Sequence, residues 1–226
     1  MCGICGFINY TNLNHTHDLL NMMKRIDHRG PDDEGKFICN ETGLQLGHKR
    51  LSIIDVSNKG NQPMISSNKR LIIIFNGEIY NHIELKKLFF SLDKHWHGTS
   101  DTEILLECFQ LLGVEKTLSI IKGMFAFALY DQYDRSLYLS RDRFGEKPLY
   151  YSFSNNNLYF SSELNSLKNI KSIDYSLNFD SIQHQLNFSY IPNNASIYKN
   201  IMQITPGHCI KFSLKHNHIS ISKLYE

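Results

Sequence analysis

An α+β fold of layered sheets and helices is what this sequence predicts, and three observations predict it. The elements run β, α, several β, two or three α, then several β. From Gly123 onward the hydrophobic period changes from helical to alternating. No βαβ repeat, internal repeat or low-complexity linker interrupts the 226 residues, so one compact domain is the simplest count.

Ile4 to Asn9 reads as a short strand almost at the N-terminus. Leu19, Met22, Met23 and Ile26 recur at i, i+3, i+4 and i+7, which predicts an amphipathic helix over Asp18 to Asp27. His28 to Gly35 is a polar loop broken by Gly and Pro. Lys36 to Cys39 and Gly43 to Gly47 form a strand and its return. Arg70 to Phe75 is a continuous β-branched apolar run, the pattern of a strand buried on both faces, and it stops at Asn76-Gly77.

Asn81 with Glu84 three residues on marks a helix start, and Leu85, Leu88, Phe89 and Leu92 give that helix an apolar face. Ser100-Asp-Thr-Glu103 is a capping box opening a helix over Thr102 to Leu112, which Gly113 ends. Strands follow at Met124 to Tyr130, Ser136 to Arg141, Pro148 to Phe153 and Leu158 to Ser161. Ser162 to Leu167 and Phe179 to Phe188 read as helical, and His208 to Leu214 with His218 to Ile221 as a terminal hairpin.

Composition narrows the function. A hydrophobic fraction of 42% and a charged fraction of 20% belong to an ordinary globular protein. A formal net charge of +2 with scattered basic residues implies no nucleic-acid partner. No apolar run is long enough to span a membrane, and no secretory core is present. Five cysteines, an odd number in a chain too large to need staples, favour free thiols in a reducing, cytoplasmic setting. Cys39, Cys108 and Cys209 lie in apolar surroundings and read as core. Cys2-Gly-Ile-Cys5 matches C-x-x-C, but it lacks the preceding βα unit of a redox motif and the second pair of a zinc site, so no metal is expected.

Cys2 is the residue that carries chemistry. Removal of Met1 would leave a thiol and a free α-amine on one residue. The unperturbed amine titrates near ~7.7–8.0 and the thiol near ~8.5, so the amine can take the thiol proton near neutral pH. Other candidates are ambiguous singly. Asn76-Gly77 is also a strong hairpin signal. Arg50 fits a surface ion pair, and Asp101 fits a favourable charge at a helix N-terminus.

Together and in order these segments resemble a known family. Met-Cys2-Gly-Ile-Cys-Gly-Phe, Arg29-Gly-Pro-Asp-Asp, Leu46-Gly-His-Lys-Arg50-Leu-Ser-Ile-Ile-Asp, Asn61-Gln-Pro-Met, Phe75-Asn-Gly-Glu-Ile-Tyr-Asn-His and Gly98-Thr-Ser-Asp101-Thr-Glu stand in sequence. Gly123-Met-Phe-Ala-Phe-Ala, Leu139-Ser-Arg-Asp-Arg-Phe-Gly-Glu-Lys-Pro-Leu-Tyr-Tyr, Phe160-Ser-Ser-Glu and Pro206-Gly-His follow. The set resembles the class II glutamine amidotransferase domain of glutamine-hydrolysing asparagine synthetases, over nearly the whole chain. The resemblance implies a four-layer αββα sandwich of the N-terminal-nucleophile hydrolase type. It also implies hydrolysis of glutamine to glutamate and ammonia through a Cys2 thioester.

By the same resemblance Asn76 and Gly77 form the oxyanion hole, Arg50 grips the substrate α-carboxylate and Asp101 binds its α-ammonium. Leu51, Ile53 and Glu78 are implied as further parts of the glutamine site. His48 falls in a matched stretch with no chemistry assigned. Arg29 to Asp33 is expected to be a glutamine-responsive loop, with a fixed turn as the alternative. Arg141, Asp142, Arg143 and Lys147 are read as an internal ion-pair network rather than a phosphate site. Full-length members carry a C-terminal synthetase domain with a Ser-Gly-Gly-x-Asp-Ser ATP loop. These 226 residues contain no such loop, so ATP and magnesium would belong to that domain and no cofactor is expected in residues 1–226. The expected partners are glutamine and a synthetase domain or a protein in trans. The alternatives are a silent glutamine-binding or regulatory module and a truncated piece of a synthetase.

Overall fold

The computed structural model describes residues 1–9, 16–91, 94–168, 170–192, 194–216 and 218–223. Twelve strands and six α-helices are present among them. The first sheet joins β1 (Gly3–Ile8), β2 (Asp33–Cys39), β3 (Leu44–Arg50), β8 (Tyr150–Ser154), β9 (Asn157–Ser161) and β10 (Met202–Gln203), in the order β10-β8-β9-β1-β3-β2. The second joins β4 (Met64–Ile65), β5 (Leu71–Ile79), β6 (Gly123–Asp131), β7 (Ser136–Arg141), β11 (His208–Ser213) and β12 (His218–Lys223), in the order β12-β11-β7-β6-β5-β4. All pairings within both sheets are antiparallel.

Strand alternation sorts the side chains into three cores. Ile4 and Ile8 of β1, Leu44 and Leu46 of β3, and Ile72 and Ile74 of β5 meet between the sheets. Cys5 and Phe7 face outward onto α1 (Thr16–Arg25), whose Leu19, Met22, Met23 and Ile26 are buried, and onto Leu167 of α5 (Leu164–Leu167). Ile73 and Phe75 face the other way, onto Leu85 of α2 (His82–Phe89), onto Ile104, Leu105 and Cys108 of α3 (Asp101–Leu112), and onto Leu118 of α4 (Val114–Ile120). The result is helix on sheet on sheet on helix, the four-layer sandwich. Each fully buried Ile or Leu contributes about 1.5–3 kcal/mol.

Local signals place most elements within two or three residues. Asn76-Gly77 is where tertiary pairing overrides them. Rather than turning, β5 runs through both residues to Ile79, opposite Ala126 and Phe125 of β6. Likewise β2 and β3 extend in register to Asp33 and Arg50, well past the apolar stretch that predicted them. α4 and the two-residue strands β4 and β10 carry no local signal strong enough to predict them.

At α2, Asn81 sits at the N-cap position, but its side chain does not cap the helix. Its amide bridges Ile120 O at 3.0 Å and Lys122 N at 2.9 Å instead, tying the helix start to the approach of β6. Leu88 is exposed, so the apolar face of α2 is narrower than expected, and Leu92 lies outside the described residues. At α3, Ser100 Oγ accepts the Glu103 N–H at 3.2 Å, while Glu103 bonds the N–H groups of His97 and Gly98 and so completes no reciprocal box. Gly113, at φ +79°, ends the helix in a conformation that disfavours a side chain.

All five cysteines are free. Cys5, Cys108 and Cys209 are buried, and burial pushes their thiols up to about 12, 11 and 12. Cys39 is only half-buried. Cys2 and Cys5 stand three residues apart and so point to opposite faces of one strand, which separates the C-x-x-C pair. No cluster of metal-ligating side chains occurs among the described residues, and no helix among them is long and apolar enough to cross a membrane.

Candidate active site

Three strands become polar at the same end of the sandwich. On the inner face of β3 the sequence Leu44, Leu46 continues as His48, Arg50. On β5, Ile72 and Ile74 continue as Asn76 and Glu78. β1 runs antiparallel to β3, with Gly3 opposite Lys49, so Cys2 falls opposite Arg50 on the same face as Ile4. Cys2, Arg50, Leu51, Asn76, Glu78 and Asp101 therefore line one pocket, together with Gly77 and Ile53. Every residue expected in the site is brought to it. Ile53 is a rim contributor only, being 70% exposed.

The Cys2 thiol is held by one residue. Leu51 N–H donates to its sulfur at 3.4 Å, and its Sγ lies 3.5 Å from Leu51 O. Burial pushes the thiol up. The Leu51 bond, the ammonium of Met1, Arg50 and Arg29 oppose that shift. Arg29 Nε donates to Cys2 O at 2.9 Å, and its Nη1 donates to Glu163 Oε1 at 2.9 Å. Asp32 accepts the Ser52 N–H at 2.7 Å, and its own N–H bonds Arg50 O at 3.0 Å. In this structure the Arg29 to Asp33 stretch thus braces both Cys2 and the Arg50 turn.

Asn76 is 1% exposed, and its Nδ2 has no hydrogen-bond partner among the described residues. A buried amide left unpaired costs about 1–3 kcal/mol, so its retention in a pocket facing a thiol points to a ligand oxygen. Gly77 is opposite Phe125, whose N–H and C=O both bond Asp142 across the next strand, at 3.2 and 2.8 Å. The Gly77–Phe125 pair is therefore of the non-hydrogen-bonded kind, and Gly77 turns its N–H away from β6. A Cβ on Gly77 would stand 2.2 Å from Met124 O, so only glycine fits this ladder position.

Arg50 is buried and fastened by its own loop. Nη1 donates to Ser57 O at 2.9 Å and to Asn61 Oδ1, and Nη2 donates to Asp55 O. That leaves Nε–H and one Nη2 proton without a bond among the described residues, the pair that can grip a carboxylate side-on. Gly60 makes this possible, since a Cβ there would lie 2.3 Å from Nη2. Asp55 closes the loop: it accepts from Ser57 N and Oγ and from Thr99 N, and these bonds hold its carboxyl down at about 2. Asp101 accepts the Ile79 N–H at 2.8 Å. Burial raises its pKa, the Ile79 bond and His82 lower it, and the nearby Glu78 raises it further. Glu78 and Asp101 line the same pocket as Arg50.

A model of the glutamine amidotransferase domain matches residues 1–225. The chain belongs to this family. Asparagine synthetase [glutamine-hydrolyzing] 1 of Bacillus subtilis is 42% identical over 160 residues, covering 69% of this chain and 25% of its own length. Asparagine synthetase 2 of that organism is 39% identical over 157 residues, and the enzyme of Zea mays 37% over 153. The match thus spans a fifth to a quarter of the length of these relatives. Among solved structures, the glutamine phosphoribosylpyrophosphate amidotransferase of B. subtilis superposes with a TM-score of 0.70 at 16% identity, over 99% of this chain and 49% of that one. An allosteric regulatory enzyme of purine biosynthesis gives 0.67 at 17%. At these identities the likeness is one of fold alone.

Several residues of this amidotransferase site have no role that spacing alone would give. Asn61 and Gln62 sit in the Asn-Gln-Pro-Met segment, which marked them without saying what they touch. Lys147 lines the pocket with its Nζ 3.3 Å from Met1 Sδ. In the charged stretch around it, Arg141 and Asp142 bond backbone groups. Asp142 accepts the N–H groups of Phe125, Phe144, Glu146 and Lys147, and Arg141 donates to the carbonyls of Gly145, Lys147 and Ile204. These charges brace backbone.

His48 is fully buried beside Arg50, and burial lowers its pKa to about 4. The unfolded chain takes a proton near ~6.5, so between ~6.5 and about 4 it binds more protons than the folded one. The stability due to His48 is therefore complete above ~6.5 and lost as pH falls through the folded value. The melting temperature of His48→Gln should decline less than that of wild type between pH 6.5 and 4, and equal declines would contradict the assignment.

Proposed function

We propose that this domain hydrolyses glutamine to glutamate and ammonia, with Cys2 as the nucleophile once Met1 is removed. The observation that carries the reading is the pairing of the Cys2 thiol with a buried, unbonded Asn76 Nδ2 in one pocket. The Cys2 sulfur attacks the side-chain amide carbon, and the α-amine of Cys2 takes the thiol proton. Negative charge forms on the amide oxygen, which receives Asn76 Nδ2 and the Gly77 N–H. The amine passes its proton to the leaving nitrogen, and ammonia departs from a γ-glutamyl thioester. Water, deprotonated by the same amine, cleaves the thioester and restores the thiol.

Arg50 binds the α-carboxylate, and Asp101 with Glu78 binds the α-ammonium. Leu51 and Ile53 flank the substrate. Residues 1–226 act as one amidotransferase domain that works in the cytoplasm without a cofactor of its own. The ammonia goes to a synthetase domain or a partner, where ATP and magnesium would be used.

The test is glutamate release from L-glutamine by Met1-processed protein with ATP omitted. Absence of release from a folded, processed sample would sink the reading. Asn76→Ala should lower kcat about 10²–10³-fold with little change in KM, because the lost bond forms fully only in the transition state. Steady-state kinetics on both proteins check this.

A further inference from the structure

β4 covers β5 only at Ile72 and Ile73. Beyond that point the odd-numbered residues of β5 direct their backbone groups to an edge with no strand beside it among the described residues. Two side chains take the strand's place at Phe75. Gln62 Oε1 accepts the Phe75 N–H at 2.6 Å, and His48 Nε2 donates to Phe75 O at 3.2 Å. A carbonyl only accepts, so Nε2 carries the ring proton. Both side chains are more than nine-tenths buried, and the Gln62 amide is oriented in turn by Thr102 Oγ1 at 3.5 Å from its Nε2. At Ile79 the carboxylate of Asp101 takes the next outward N–H but one. Between these clamps lies Gly77, and Asn76 follows the clamped Phe75 carbonyl directly.

We propose that His48 and Gln62 are positioning residues of the oxyanion site: Gln62 anchors the Ile74–Phe75 peptide by its N–H, His48 anchors the Phe75–Asn76 peptide plane by its carbonyl, and together they make Asn76 Nδ2 and the Gly77 N–H converge on one oxygen. The inference rests on the glutaminase reading above. Rotation of that plane displaces both donors at once, and a misplacement of about 1 Å can cost 10²-fold in rate. His48 suits the task because it is a donor while neutral. It fixes the carbonyl without setting a second cation beside Arg50. Substrate charges are held elsewhere, by Arg50 and Asp101, so the clamp acts on kcat and leaves ground-state binding alone.

The test uses the full chain with Met1 removed, in wild type, His48→Leu, His48→Gln and Gln62→Met. kcat and KM for glutamine are measured, with glutamate affinity by calorimetry and the rate of Cys2 alkylation by iodoacetamide as controls. Leu and Met remove the bonds to Phe75, whereas Gln at position 48 keeps a donor within similar reach. kcat should fall about 10–100-fold in His48→Leu and Gln62→Met. Glutamate affinity and alkylation should stay within about twofold of wild type, and His48→Gln should recover most of the loss. Unchanged kcat in a folded Gln62→Met, or a matching loss of glutamate affinity, would overturn the clamp. Should His48→Leu fail to fold, Gln62→Met decides. An inactive wild type would instead overturn the glutaminase reading.

Discussion

Replacing Cys2 with alanine is expected to abolish glutamate release while leaving the fold and glutamate binding in place. The side chain lies just before β1, outside the ladder that Gly3 begins, and its polar contacts are to Leu51 alone. Truncation therefore removes the sulfur without disturbing the inter-sheet packing of Ile4 and Ile8. No other thiol can substitute. Cys5 points to the opposite face, Cys39 lies opposite Leu44 at the end of the β2–β3 ladder away from Arg50, and Cys108 and Cys209 are buried with thiols pushed far above neutrality. Loss of the nucleophile leaves no route to the thioester, so turnover should fall to the blank. Glutamate titration by calorimetry and a thermal melt complete the measurement. Residual release at even a few per cent of wild type, from a pure sample, would contradict Cys2 as nucleophile.

Retention of Met1 is expected to inactivate the domain as fully. With Met1 in place the nitrogen of Cys2 is an amide, which has no useful basicity, and the thiol loses the group that takes its proton. The Met1 side chain also lines the pocket, with Sδ beside Lys147 Nζ. Base and substrate space are thus both compromised by one residue. Intact-mass spectrometry fixes the processing state, and activity should track the processed fraction linearly. A sample shown to retain Met1 and yet fully active would exclude the α-amine as base.

Much of the fold was legible because its elements are locally coded. The period of Leu19, Met22, Met23 and Ile26 faces α1 inward wherever it packs, and the Ile72–Ile74 run can only be a doubly covered strand. The site residues were legible as a set of ordered motifs, although each was ambiguous by itself. Asn76-Gly77 illustrates the ambiguity: its local chemistry favours a turn, and only pairing with Ala126 and Phe125 keeps it extended.

What the sequence determined alone was the identity of the reacting groups, since a thiol at position two and an amide at position 76 keep their chemistry in any fold. It also determined the α+β class, because periodicity is local. Which of these groups meet was left to the packing of the chain. Cys2 falls opposite Arg50 through the β1–β3 register, Arg29 and Asp32 turn a loop into a brace, and Gln62 and His48 replace a missing strand at Phe75. Those are contacts between residues far apart in the chain. Their geometry is set by strand register and by the need to pair every buried backbone group, and neither is written in any local stretch of residues.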